Sequence, residues 1–315
     1  MPTVPAVLPQ WSSKRCAMIK NLAELRNMIA AGEKKTCAVA CAHDAHTLEA
    51  IMTMRNEGLM NCLLVGHAAD IKRIAAEHNY TVSDEEIIEA ATDEEAAQVC
   101  VDLVREGKAG FILKGILQTG TLLKAVVNKQ TGLNTGSVIS HFALVELPGY
   151  PKLLGVCDSG MIPAPDLATK KAILRNAINA LEKLGYEKPL VSALCAAEAV
   201  SPKIIETVDA AALKEASLAG ELGNCYVEGP ISFDLAMNPE SAKVKKFESP
   251  VVGNSDILLV PSLATGNIMV KALLQFAGAQ MAGCIVGAKC PIALISRSAS
   301  YEEKYYSLLL CALTC

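Results

Sequence analysis

Short apolar runs alternate with amphipathic stretches along nearly the whole chain. TCAVAC (36–41), NCLLVG (61–66) and the FILK core of AGFILKG (109–115) have the length of strands and stay apolar at successive positions. That pattern marks strands buried on both faces. His46–Ile51, AADIKRIAAEH, EEAAQVCVDLVREG and GTLLKAVVN instead suit helices, with apolar positions recurring at helical spacing, and Gly107 closes the third of them. Such β-α-β repetition predicts a parallel sheet, because right-handed crossovers lay helices over both of its faces.

The rhythm changes around residues 137–160. SVISHFALVELP and PKLLGVCDSG read as extended strands joined by a Pro-Gly-Tyr-Pro turn. Regular alternation then resumes: a helix after Pro165, PLVSALCA, a helix after Pro202, GNCYVEGP, SDILLVPSL, a helix after Gly266, MAGCIVGA and CPIALIS. A domain boundary near 137–145 follows. The pattern alone does not say whether the C-terminal segment returns to the first domain.

Composition agrees with an α/β class. Of the 315 residues 51% are hydrophobic and only 4% aromatic, so the core is built from aliphatic side chains. The mean hydropathy is +0.31. A net charge of −4 without any basic stripe argues against a nucleic-acid partner. The longest apolar runs fall far short of the roughly 20 residues that a membrane span needs, and no signal-peptide pattern is present. A soluble, cytoplasmic protein is expected. The twelve cysteines are scattered singly in apolar runs, as small buried hydrophobes are. Cys37, Cys41, His43 and His46 form the one tempting cluster, but two of them belong to a strand and two to the loop after it. The reading is a strand end leading into a helix, and no metal site is assigned.

Chemistry concentrates at strand ends, where parallel sheets bind ligands against helix N-termini. Thr265, Gly266 and Asn267 follow SDILLVPSL at an expected helix start, with Lys271 one turn on. Lys114 ends a strand, and Gln118, Thr119 and Gly120 open the next helix. Anion binding and plain capping compete at both places. CDSGM places Asp158 after a strand, as a carboxylate that orients a cation, binds a metal or makes a turn. The richest segment is ISRSASYEEKYY (295–306), with Lys289 upstream. Ser300 and Glu303 have capping-box spacing, which leaves Ser296, Arg297 and Ser298 unexplained. An arginine fork beside hydroxyls and free helix N–H groups suits a phosphate or an acyl oxyanion. No Walker loop, G-x-G-x-x-G fingerprint or G-x-S-x-G elbow occurs.

VEGPISFDLA followed by SPVVGNSDILLVPSLATGNIMVKALLQFAGAQMAGCIVGAKCPIALISRSASYEEKYYSLLL resembles the phosphate acetyl/butyryl transferase family. EGKAGFILKGILQTGTLLKAVV, ISHFALVELPGY and APDLATKKAILRNAINALEKLG resemble its phosphate butyryltransferase branch, and the resemblance runs from about residue 35 to the end. It implies two α/β domains with mainly parallel sheets covered by helices, related to isocitrate and isopropylmalate dehydrogenases. The first domain would comprise residues 1–140 and 289–315 and the second 141–288, with the active-site cleft between them and homodimers as the usual assembly. It also implies metal-free, reversible transfer of a short acyl group, butyryl by branch and acetyl as the alternative. The partners are then acyl-CoA and inorganic phosphate, or acyl phosphate, with CoA as a substrate and no tightly bound cofactor.

By the same resemblance Glu303 is the base that takes the CoA thiol proton, Ser296 stabilises the oxyanion and Arg297 holds the phosphoryl group. Gly266, Asn267 and Lys271 would line the facing wall, and Lys114, Thr119, Ser298, Lys289 and Asp158 are further substrate-binding candidates. The chain departs from the family pattern at three places. Glu303 stands where aspartate is common, Asn134 where arginine is expected, and DSGMIP lacks an asparagine after the methionine. A non-catalytic CoA- or phosphate-binding relative is the alternative of a different class.

Overall fold

The computed structural model describes residues 18–295 and 299–315. In the first half β1 (Lys35–Ala40), β2 (Met60–Gly66), β3 (Ile87–Glu89) and β4 (Phe111–Lys114) are parallel. In the second half β6 (Leu154–Cys157), β7 (Leu190–Leu194), β8 (Tyr226–Ile231) and β9 (Ile257–Leu259) are parallel to one another. Two long strands join the halves. β5 (Ser140–Glu146) and β10 (Gln280–Val286) pair antiparallel along their full length. The short β11 (Ile292–Ala293) lies between β4 and β10, parallel to the first and antiparallel to the second. The expected sheets are thus one continuous sheet, in the order β3-β2-β1-β4-β11-β10-β5-β6-β9-β7-β8.

This pairing fixes where strand ends point. β5 is antiparallel to both β10 and β6, so β6, β7, β8 and β9 run opposite to β1–β4 and β11. With the end at Lys114 taken as the top, β4 and β11 finish at the top, whereas β6 and β9 finish at the bottom.

The two faces are covered differently. On one, α1 (Ala23–Ala30), α2 (Ala45–Asn56), α11 (Tyr301–Thr314) and α6 (Leu167–Lys183) form a continuous layer, and a single apolar cluster runs from Leu48 and Ile51 through Leu308 to Leu174 and Ile178. The other face carries two separate clusters. α4 (Asp93–Arg105) and α5 (Thr119–Val126) cover the first half with Val101 and Leu122, while α8 (Phe233–Met237) and α10 (Leu263–Phe276) cover the second with Leu235 and Val270. Between them β5 and β10 form the floor of a gap. Phe142 belongs to the continuous layer, so its neighbour His141 points into the gap.

Local chemistry sets the helix starts. Asp44, Thr92, Asp166, Ser262 and Ser300 each accept the backbone N–H three residues on, a cap worth about 1 kcal/mol. Lys152 and Asp256, both buried, pair where β6 meets β9, and the second Asp256 oxygen takes the Leu190 N–H at 2.7 Å. A buried pair of this kind is tolerated because further hydrogen bonds satisfy its lone pairs. No described helix is long and apolar enough to cross a membrane.

Candidate active site

At the top of the sheet β4 and β11 end side by side, and α2 and α11 begin. A cavity of about 370 Å3 lies there, lined by Asp44, His46, Thr47, Lys114, Ile295 and Lys304 among others. Asp44 caps α2 by accepting from the Thr47 N–H and hydroxyl at 2.9 and 2.7 Å. Lys114 Nζ donates to the carbonyls of Gly115 and Leu117 at 2.9 and 3.0 Å, which holds the ammonium over the loop leading to α5. Thr119 is exposed as the first residue of α5. Ile295 brings the chain to the cavity wall, and Ser296, Arg297 and Ser298 follow it outside the described residues.

The first turn of α11 settles how the capping-box spacing is used. Ser300 Oγ accepts the Glu303 N–H at 3.1 Å, so half of the box forms. The returning half does not: among the described residues the Glu303 carboxylate has no hydrogen-bond or ion-pair partner. Its own N–H and the Ser300 hydroxyl hold the exposed Glu302 carboxyl below the usual range. Glu303 is half-buried, and burial raises its pKa above the ordinary value, with Lys304 opposing. A carboxylate held short of hydration and hydrogen bonds is a stronger proton acceptor than an exposed one.

Asp158, Gly266 and Asn267 gather at the bottom, on the gapped face. Asp158 is buried and accepts three backbone N–H groups, from Gly160 and Met161 at 2.8 Å and Ile162 at 3.2 Å. Of the roles left open for it, the structure shows the turn. Ser262, and not Thr265 or Gly266, caps α10, so Gly266 and Asn267 lie about a turn inside the helix rather than at its start. Their contribution is close approach. A Cβ on Gly266 would sit 3.0 Å from both the Asp158 carbonyl oxygen and Ser159 Cα. Asn267 Nδ2 donates to the Ser159 carbonyl at 3.2 Å, and Ser159 Oγ lies 3.0 Å from His141 Nδ1. Burial holds the His141 imidazole below its usual pKa, against the pull of the Asp158 carboxylate. Lys271 is exposed one turn beyond Asn267.

Other candidates lie apart. The turn between β10 and β11 is at the bottom, so Lys289 is separated from Lys114 by the length of β11 and lines a different cavity. Asn134 is a turn residue whose Oδ1 accepts the Gly136 N–H, and its backbone bridges to Ala288. Cys37 is buried within β1, and His46 is exposed on α2. Burial and a hydrogen bond to Asp93 push the Cys41 thiol up to about 12. No group of three or more His, Cys, Asp or Glu side chains is placed to hold a metal among the described residues.

The sequence profile described as phosphate acetyl/butaryl transferase matches residues 91–312. The chain belongs to that family. The phosphate butyryltransferase of Clostridium acetobutylicum is 36% identical over 296 residues, covering 94% of this chain and 98% of its own. The phosphate acetyltransferase of Thermotoga maritima is 35% identical, covering 90% of this chain and 96% of its own. Among solved structures, a branched-chain phosphotransacylase from Enterococcus faecalis V583 superimposes with a TM-score of 0.77 at 32% identity, over 89% of this chain and 98% of that one. A 4-hydroxythreonine-4-phosphate dehydrogenase structure from Salmonella typhimurium shares the fold alone, with a TM-score of 0.56 at 16% identity. The protein is an acyltransferase of this family.

Sequence reasoning missed Lys304 on the cavity wall and His141 beneath Ser159, and weighed His46, which also lines the cavity, only as part of a metal cluster. A histidine inside an otherwise apolar strand, ISHFALV, is the signal that could have found His141.

Proposed function

We propose that this phosphate acyltransferase moves a short acyl group, butyryl by branch, reversibly between CoA and inorganic phosphate, with Glu303 as its base. The observation that carries the base is the half-buried Glu303 carboxylate, unused by its own helix cap and raised in pKa at the head of α11. In the direction of acyl-CoA formation Glu303 takes the thiol proton, whose ordinary pKa of about 8.5 makes a base useful. The sulfur attacks the acyl carbonyl carbon, the carbonyl electrons move to oxygen, and their return breaks the bond to phosphate, which leaves with its electron pair. Family resemblance assigns the oxyanion contact to Ser296 and the phosphoryl contact to Arg297. Lys114 and Lys304 supply positive charge to the cavity at the top of the sheet, whose wall Ile295 reaches just before Ser296 and Arg297 in the chain.

A phosphate-dependence assay tests this reading: thiol release from acetyl-, propionyl- and butyryl-CoA, with and without inorganic phosphate. Release fastest with butyryl-CoA supports it, and no phosphate-dependent release with any chain rejects it. The reading includes CoA as a substrate only, with no tightly bound cofactor. It also includes a homodimer, for which the exposed apolar side chains of Ile268 (68%) and Phe276 (92%) on α10 offer a contact surface. Phe276→Glu is expected to halve the mass measured by light scattering. The eleven described cysteines are unpaired, ten of them buried, which favours a reducing cytoplasmic setting.

A further inference from the structure

At the bottom of the sheet, under the continuous helical layer, lies a second polar concavity of about 380 Å3. Arg175, Asn179 and Lys183 recur every four residues along α6 and all face it, while Lys289 faces them from the β10–β11 turn. Three cations line this cavity, and no carboxylate side chain does. Lys183 Nζ donates to the Thr314 carbonyl at 2.7 Å, and Arg175 Nε and Nη2 both donate to the Glu221 carbonyl, at 3.2 and 2.5 Å. Both are therefore oriented without being neutralised by those contacts. The Glu221 carboxylate, whose backbone carbonyl Arg175 meets, is paired with Lys171 at 2.7 Å, and Arg175 also contributes to keeping it ionised. Lys183 and Lys289 are both exposed, and among the described residues neither forms an ion pair.

We infer that this concavity binds a phosphate monoester dianion, at a site distinct from the acyl-transfer cavity. Two ammonium groups and a guanidinium whose Nη1 is left over from its Glu221 contact suit a doubly charged, tetrahedral group, and a hollow of this size holds a small metabolite. Its position gives binding a consequence, which rests on the acyltransferase reading. Lys289 sits in the turn that feeds β11, whose upper end leads to Ser296 and Arg297. Lys183 grips the last turn of α11, whose first turn carries Glu303. A dianion drawn between Lys183 and Lys289 pulls on the lower ends of both elements that deliver the reacting groups at the top. Occupancy therefore changes turnover without competing with substrate, and an effect on CoA affinity would be returned as an equal effect of CoA on the dianion.

The test is isothermal titration of glycerol 3-phosphate into the full chain at low ionic strength. One site per chain is expected, weakened at least tenfold in Arg175→Gln/Lys289→Gln and more by Lys289→Glu alone. Both positions are exposed, so the variants should keep the wild-type circular dichroism melt. Binding should also weaken with added salt. Absence of binding at millimolar ligand, equal affinity in the charge-removed variants, or full displacement by CoA with inorganic phosphate would each overturn the site. Because binding is read directly, a protein that binds the ester but transfers no acyl group refutes the proposed function and leaves this site standing.

Discussion

Two acids stand at opposite ends of the sheet and differ in what their oxygens do. Asp158, at the bottom, is nearly inaccessible and fully engaged: three backbone N–H groups converge on it and fix the loop that receives α10. Glu303, at the top, is half-buried, and its carboxylate is left out of the cap that its own N–H completes. Both looked alike as sequence, an acid next to a strand end or a helix start. A carboxylate whose oxygens are filled by backbone donors is held in place as part of a turn, whereas one that is desolvated without donors can take up a proton. The lesson is that acid–base competence depends on what the surrounding backbone leaves unbonded.

Substitutions separate the two roles. Glu303→Gln is expected to lower kcat by roughly 100- to 10,000-fold, the range for loss of a general base, with a melting temperature close to wild type. Wild-type turnover in that variant would reduce Glu303 to a helix-start residue. Asp158→Ala should act the other way, costing about 3 kcal/mol as charged hydrogen bonds are lost and amides left unpaired. Urea unfolding would measure it, and an unchanged midpoint would show that the loop holds without the carboxylate.

The pH profile sharpens the contrast further. Glu303 must be ionised to accept the thiol proton, so kcat/KM should fall about tenfold per pH unit below its raised pKa, and the acid limb should be missing in Glu303→Gln. Its effect on stability has the reverse sign. The folded state holds the proton to higher pH than the unfolded state does, so stability falls as pH rises from the ordinary glutamate value through the raised one. A stability curve without that slope would place the carboxylate in water. The smallest effect belongs to the cap: Ser300→Ala should cost about 1 kcal/mol and change kcat little, as read by denaturant unfolding and steady-state kinetics.

Much of the architecture was legible because buried strands and helices keep their own periods. TCAVAC, NCLLVG and MAGCIVGA became β1, β2 and β10 within a residue or two, and the turn chemistry around Pro148–Pro151 marked the β5–β6 connection. Strand direction was not legible. Nothing local in SVISHFALVELP announces that it pairs antiparallel on both sides, and that pairing alone sends β4 and β6 to opposite ends. For the same reason Lys289 could not be separated from Lys114 by spacing, and Asp158 could not be told from a ligand before its three donors were seen. Gly266 and Asn267 were placed at a helix start, because Ser262 lies inside the apparent strand SDILLVPSL, and their packing against the Asp158–Ser159 turn was not legible. Ser296, Arg297 and Ser298 rest on family resemblance.

The position of β11 also bears on how the chain is made. Its slot lies between β4 and β10, strands that begin about 180 and 12 residues earlier in the sequence. During synthesis the inner edge of the first half stays unpaired until almost the whole polypeptide has left the ribosome. Such an edge is a template for misplaced strands, and closure by distant segments is slow. A nascent chain stalled before residue 290 should therefore be sticky, whereas the finished one closes its own seam.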